Sequence, residues 1–164
     1  MMSPFYFNKL VLKGRTMKHY KMIVLILLSI SFAANTFAGD KEDILAALNN
    51  TIDAFNKHEV KTYFSTFVDD NTEFPYVISP LRHNAAMWKK FIEGTASLDY
   101  VNYHQQDSEV QIYNGDAAVV TGYYTFSWME KGGQMKYQSG RASIILVKQN
   151  GKWMTAHMHF SKMF

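Results

Sequence analysis

The spacing of apolar residues changes once along the chain. Between residues 40 and 94 they recur every three or four positions, which is typical of helices that bury one face. From residue 98 onwards apolar and polar residues alternate, which is typical of strands. A helical part followed by a strand-rich part predicts an α+β fold, with three N-terminal helices packed on a mainly antiparallel sheet.

Three helices are predicted from this spacing. The first carries an apolar stripe through residues 44–55, and a second, shorter helix continues to Phe67. The third is expected to span residues 79–94, because Ser79 can cap its first turn and Gly94 can end it.

Four long strands and one short strand are predicted. Glycine-containing turns separate the long strands, and Asn150-Gly151 is a strong hairpin signal. The short strand, residues 71–78, contains Pro75 and is therefore expected at an edge of the sheet. The long strands cover residues 98–113, 116–130, 137–148 and 152–161.

Alternation in the last strand separates two faces. One face is wholly apolar and carries Met154, Ala156, Met158 and Phe160. The other face carries Trp153, Thr155, His157, His159 and Ser161. We expect the helices to cover the apolar face, which leaves the histidine face for solvent or a second subunit.

Residues 1–38 are predicted to be an N-terminal extension and a signal peptide. From Met17 onwards they contain lysines, then a short apolar run, then small residues ending at Ala38, which is the order of parts in a secretory signal. We expect translation to start at Met17 and cleavage to follow Ala38. The mature domain, residues 39–164, would then be periplasmic or secreted, with no membrane span.

Charge and cysteine content narrow the class of protein. The net charge of the chain is +3, but residues 1–38 hold five basic and no acidic residues, so residues 39–164 carry −2. This balance argues against a nucleic-acid partner. Because the chain has no cysteine, an exported form must rely on burial rather than on disulfides.

The closing hairpin resembles a known family. Residues 140–161, GRASIILVKQNGKWMTAHMHFS, look like the end of SnoaL-like domains in the nuclear-transport-factor-two-like superfamily. They are also similar to the association domain of calcium/calmodulin-dependent kinases. The likeness covers residues 42–161 and implies a cone-shaped fold, in which a strongly curved sheet surrounds three helices and an inner pocket, with a dimer formed through the sheet.

The resemblance implies no single activity. Members of the superfamily include isomerases, cyclases, dehydratases, binding proteins and assembly domains, so fold does not set the reaction. The kinase domain binds carboxylates with arginines, and alignment places Ile144 and Tyr124 of this chain at two of those positions. We therefore expect the pocket to favour neutral molecules. No catalytic residue is assigned, and no cofactor is implied.

Candidate site residues come from the predicted faces. Aromatic residues of the third helix and of the strands can fill the core or line a cleft for a flat, apolar molecule. The pocket-lining candidates are Tyr76, Trp88, Phe91, Tyr124, Phe126, Trp128, Met158 and Phe160. Weaker polar candidates are Glu73, Tyr103 and His104. Glu73 could act as a general base if buried, although an exposed position is the usual outcome for a strand-end carboxylate.

The histidine face carries the candidates for subunit contact. His157 and His159 point the same way and could bind a metal, but no third ligand has a recognised spacing, so no metal is expected. A mixed polar and aromatic sheet face suits a homodimer interface. The interface candidates are Tyr123, Arg141, His157 and His159.

One hypothesis and two alternatives follow. The leading hypothesis is an exported SnoaL-like domain that binds a small, largely apolar molecule in its cone and dimerises through its sheet. One alternative is a proton-transfer enzyme of the cyclase, isomerase or dehydratase type, which a buried carboxylate or histidine directed at the cavity would favour. The other is a pure assembly module, which a completely filled cone would favour.

The signal peptide is tested by the mass of the native protein. We expect the mature chain to begin at Gly39, because small residues precede the cleavage point at Ala38. Intact-mass spectrometry of protein purified from its native host measures this directly. A chain that retains Met1 or Met17 would contradict the prediction.

Overall fold

The structure is a computed structural model that describes residues 39–75 and 82–163. The predicted extension and signal peptide, residues 1–38, and the pocket candidate Tyr76 lie outside the described residues. Within the described ranges, no helix combines the length and the apolar composition needed to cross a membrane.

Helices and a six-stranded sheet make up the described fold, and the predicted α+β class is confirmed. The helices are α1, residues 39–56, α2, Val60–Phe64, and α3, Ala85–Gly94, which runs into a 3-10 turn at Thr95–Ser97. The strands are β1, Phe67–Pro75, β2, His83–Asn84, β3, Tyr100–Tyr113, β4, Ala117–Met129, β5, Met135–Gln149, and β6, Lys152–Lys162.

The strand order in the sheet is β2-β1-β6-β5-β4-β3. All neighbouring pairs are antiparallel except β1 and β6, which are parallel. The prediction of an edge position for the Pro75 strand was wrong, because β1 lies between β6 and β2. Strand β2 pairs only with Thr72 and Glu73. Proline is therefore tolerated at position 75, because no strand on that side requires a backbone N–H there.

The bounds of two helices differ from those predicted. Helix α2 ends at Phe64, and Phe67 begins β1 instead of continuing the helix. Helix α3 begins at Ala85, where the Asn84 side chain accepts a hydrogen bond of 3.0 Å from the backbone N–H of Met87. The predicted start at Ser79 lies outside the described residues.

The helices cover one face of the sheet. This inner face carries Ile144 and Met158, which pack with Ile44 and Leu48 of α1 in the buried core. The opposite, outer face carries Arg141 and His159, which are exposed. The predicted burial of the apolar face of the last strand is confirmed for Met158 and Phe160, whereas Met154 and Ala156 are only partly buried.

A β-bulge changes the face assignment in the first half of β6. Met158 and Phe160 are buried as predicted, but Trp153 and Thr155 are buried as well, although the alternation predicts them on the outer face. The register between β5 and β6 shifts at this point, and Ala156 is the extra residue. Because a bulge puts two residues opposite one, alternation on the two sides of Ala156 is out of phase.

Candidate functional site

A cavity of about 60 Å³ lies between the helices and the inner face of the sheet. Eight of its twelve lining residues are aromatic, so its walls are flat and largely apolar. The lining consists of Thr51, Ile52, Phe55, Tyr63, Pro75, Trp88, Phe91, Tyr103, Tyr124, Phe126, Met158 and Phe160.

Stacked rings form two walls of the cavity. On α3, Trp88 and Phe91 stack with ring centroids 5.1 Å apart, since residues three apart share a helix face. Across β3 and β4, Tyr103 and Tyr124 stack at 5.6 Å. Phe160 of β6 meets both tyrosines edge-on, so the rings hold one another in fixed orientations.

The Tyr124 wall depends on a glycine in the neighbouring strand. A Cβ atom at Gly140 would lie 2.6 Å from Cε1 of Tyr124 and would also collide with the carbonyl oxygen of Ser161. Only glycine leaves room for the ring at this register position. The Tyr124 hydroxyl in turn accepts a hydrogen bond of 3.1 Å from Gln138 Nε2.

The hydroxyl groups around the cavity are neutral and hydrogen-bonded. The Tyr63 oxygen accepts a 3.0 Å bond from Trp88 Nε1–H, and the Tyr63 hydroxyl donates to the Met158 sulfur at 3.9 Å. Burial raises the pKa of Tyr63, and nearby Glu73 raises it further. Burial likewise raises the pKa of Tyr103. The cavity therefore presents a mostly apolar surface to a bound molecule, and the hydroxyls in its walls are uncharged and already bonded within the protein.

Glu73 is the one fully buried carboxyl group in the described part of the chain. It lies on the inner face of β1, next to Met158 in the register with β6. Neither carboxyl oxygen has a side-chain hydrogen-bond partner among the described residues, and the backbone N–H of Met158 is the polar group that lies near them. Burial raises the pKa of Glu73 to about 9, with the backbone N–H of Met158 opposing part of the rise. Glu73 is therefore a neutral acid at neutral pH, and its expected exposure was wrong.

Two other candidates lie away from the cavity. Trp128 lines a separate groove beyond Phe91 and Phe126, with Lys90 at its rim. His104 is exposed, because it follows Tyr103 in β3 and successive strand residues point to opposite faces. His104 therefore cannot supply a polar group to the cavity.

The four dimer candidates all lie on the outer face of the sheet. Tyr123 pairs with Arg141 across β4 and β5, and both side chains are exposed. The rings of His157 and His159 contact Phe74, whose side chain is 40% exposed. The outer face therefore combines aromatic rings, imidazoles and a guanidinium in one patch.

His157 is held in place on this patch. Its Nδ1 lies 2.8 Å from the hydroxyl of Thr72, its register partner in β1. Partial burial lowers the pKa of His157, and His159 adds to this effect. Within the described residues, no three histidine, cysteine or acidic side chains come together in a way that could hold a metal ion.

Sequence reasoning missed several lining residues. Tyr63 lies three positions after Val60 and thus on the same side of α2, a signal that the helical spacing contains. Phe55 and Ile52 belong to the apolar stripe of α1, which was assigned to core packing. Pro75 was missed because its strand was expected at the edge of the sheet.

Six mostly antiparallel strands curve around the helices with a cavity between them, and this arrangement matches the cone-shaped fold of nuclear-transport-factor-two-like structures. Residues 44–164 match the family described as SnoaL-like domain, and the chain belongs to this family. The family resemblance seen in the sequence is thus confirmed. No curated protein sequence matches the chain.

Several solved structures share this fold. A scytalone dehydratase-like protein from Novosphingobium aromaticivorans is 13% identical, with 80% of this chain and 89% of that chain covered and a TM-score of 0.72. The association domain of Caenorhabditis elegans CaMKII is 21% identical, with 76% and 97% covered and a TM-score of 0.61. A superfamily protein from Salmonella enterica is 17% identical, with 78% and 94% covered and a TM-score of 0.67.

Burial of Glu73 predicts a pH dependence of stability. The raised pKa means that the folded chain keeps the Glu73 proton up to about pH 9, whereas the unfolded chain loses it near pH 4.5. This contribution is therefore present at low pH and is lost as pH rises. Between pH 7 and 9 the free energy of unfolding should fall by up to about 1.4 kcal/mol per pH unit relative to Glu73→Gln.

Urea unfolding at several pH values measures this difference. Glu109→Gln, which removes an exposed carboxylate from β3, is the matched control and should follow the wild type. Parallel curves for wild type and Glu73→Gln from pH 7 to 9 would contradict the burial of Glu73 as a neutral acid.

Proposed function

We propose that this SnoaL-like domain binds a small, largely apolar molecule in the cavity. The observation that supports this most directly is the aromatic lining, whose polar groups are neutral hydroxyls rather than charges. The family and the neighbouring folds are compatible with binding or catalysis, so the cavity rather than the fold carries the proposal.

The size of the cavity limits what it can hold unchanged. An apolar cavity of about 150 Å³ binds benzene, whereas the free space here is about 60 Å³. A molecule with an aromatic ring therefore requires a side chain to move. Phe91 is only partly buried and packs at the margin of the core, so its displacement costs less than that of Trp88 or Tyr124.

Enlarging the cavity at Phe91 should increase binding of a ring-sized probe. Phe91→Ala is expected to raise the affinity for indole by about tenfold, which corresponds to about 1.4 kcal/mol. Truncating a fully buried phenylalanine to alanine typically costs about 3 to 5 kcal/mol of unfolding free energy, and the cost of Phe91→Ala should be smaller. Isothermal titration measures the affinity, and urea unfolding measures the stability.

Two comparisons make this test specific. Met87→Ala removes an exposed side chain from the same helix and should leave indole binding unchanged. Indole-3-carboxylate should bind more weakly than indole, because the described lining contains no cation. Equal or tighter binding of the carboxylate, or no gain from Phe91→Ala, would contradict the proposed cavity site.

We also propose that the domain is exported and forms a homodimer through the outer face of its sheet. Export is supported by the arrangement of residues 17–38. Dimerisation is supported by the exposed patch around Phe74, Tyr123 and Ile145, since aromatic residues and arginine are enriched in interfaces. The fold shared with a kinase association domain is consistent with assembly.

A charge placed in the outer patch should weaken the dimer. His157→Glu puts a carboxylate beside Phe74 and Thr72, where desolvation on association would penalise it. We expect light scattering to show a shift toward monomer. Met87→Glu, which adds the same charge on α3, should leave the dimer intact, and a monomeric wild type at micromolar concentration would contradict the proposal.

A second candidate function is proton transfer on the bound molecule. Glu73 supports it, because a buried, protonatable carboxyl group beside an apolar cavity is the kind of group that general acid–base catalysis requires. Glu73 lies beside Met158 in the neighbouring strand and does not itself line the cavity. Binding therefore remains the leading proposal.

A further inference from the structure

Three buried polar atoms lie together on the inner face without a side-chain hydrogen-bond partner among the described residues. They are Oε1 and Oε2 of Glu73 and Nδ1 of His83. Glu73 and His83 are direct register partners in the β1–β2 ladder, and Cβ atoms of such partners lie about 4.5 to 5.5 Å apart. The two side chains do not hydrogen-bond directly in this structure, and this spacing allows one water molecule to bridge them.

One shared proton would satisfy both groups. A protonated carboxyl donates to a neutral imidazole, and an imidazolium donates to a carboxylate. Either arrangement holds one proton and no net charge, so burial penalises it less than a lone ion. We propose that Glu73 and His83 form an acid–base pair that shares one proton behind the wall of the cavity.

The described side chains that pack around the pair carry no charge. From α2, Tyr63 faces Glu73 and stays protonated because burial raises its pKa. From α3, the ring of Trp88 contacts the ring of His83, with centroids 6.3 Å apart. From β6, Met158 is the register partner of Glu73. Apart from the backbone N–H of Met158 beside Glu73, the compensating group for each member of the pair is therefore the other member.

The pair is separated from a bound molecule by one layer of side chains. Tyr63, Trp88 and Met158 surround it and also line the cavity. Without a partner, burial keeps Glu73 protonated up to a pKa of about 9. Sharing this proton with His83 would hold the Glu73 carboxyl in one orientation, which makes His83 a positioning residue.

The ligand class follows from this chemistry. Because Tyr63 lines the cavity and faces Glu73, a neutral molecule with a carbonyl or hydroxyl oxygen could exchange a proton with the pair only through the Tyr63 hydroxyl, whereas a plain hydrocarbon could not. This use of the pair rests on the proposed cavity function. The shared proton itself does not, and it can be tested without any ligand.

The test is a pH titration followed by nuclear magnetic resonance on the full chain. Carboxyl ¹³C signals report Glu73, identified by its loss in Glu73→Gln, and ring ¹⁵N signals report His83. In the wild type both signals should change over the same pH range. His83→Gln should move the Glu73 midpoint by more than about one pH unit, the coupling expected of an interacting pair.

His104→Gln, which removes an exposed histidine, is the control and should leave the Glu73 midpoint unchanged. An unchanged midpoint in His83→Gln would overturn the pair. If that variant does not fold, the ring signals of His83 in Glu73→Gln decide instead, and their identity with the wild type would overturn it. A failure of indole to bind would leave this result untouched, so the two proposals can fail separately.

Discussion

Burial of one face of a single sheet is the constraint on which the other features of this domain depend. Three helices cover the inner face, and within the described residues no second sheet packs against it. Each inner position must therefore be apolar or neutral. Large aromatic rings meet this requirement, but stacked rings of fixed shape leave a space between them, and Gly140 is needed to admit one of them. The cavity is thus a consequence of how this face is filled.

Glu73 meets that requirement only because it stays protonated, and it is the strongest sign of a role beyond packing. An apolar residue would occupy the same inner position at lower cost, since a buried carboxyl group without a partner is destabilising. Polar residues at positions that packing alone would make apolar are concentrated at functional sites. His83, its register partner in β2, is a second buried polar residue of this kind. Two such residues side by side are more simply explained as one interacting pair than as two independent costs to stability.

The two faces of the sheet carry chemically different side chains. Neutral hydroxyls and the Glu73 carboxyl lie inside, whereas Arg141 and His159 lie outside with exposed rings such as Phe74. Binding in the cavity and association through the outer face would therefore use opposite sides of the same strands. Because β6 contributes Met158 inward and His157 outward, a change in one site could affect the other through a single strand.

The sequence by itself determined the α+β class, the helical and strand periods, the hairpin turns and the inner positions of β4 and β5, because local spacing and turn residues encode all of these. Only the tertiary structure decided the phase of β6 and the burial of Glu73. The bulge at Ala156 brought Trp153 and Thr155 inside, and the pairing of β1 with β6 joined segments about 85 residues apart. A period of two cannot reveal an inserted residue or a distant partner, since both depend on how separate strands align when the sheet forms.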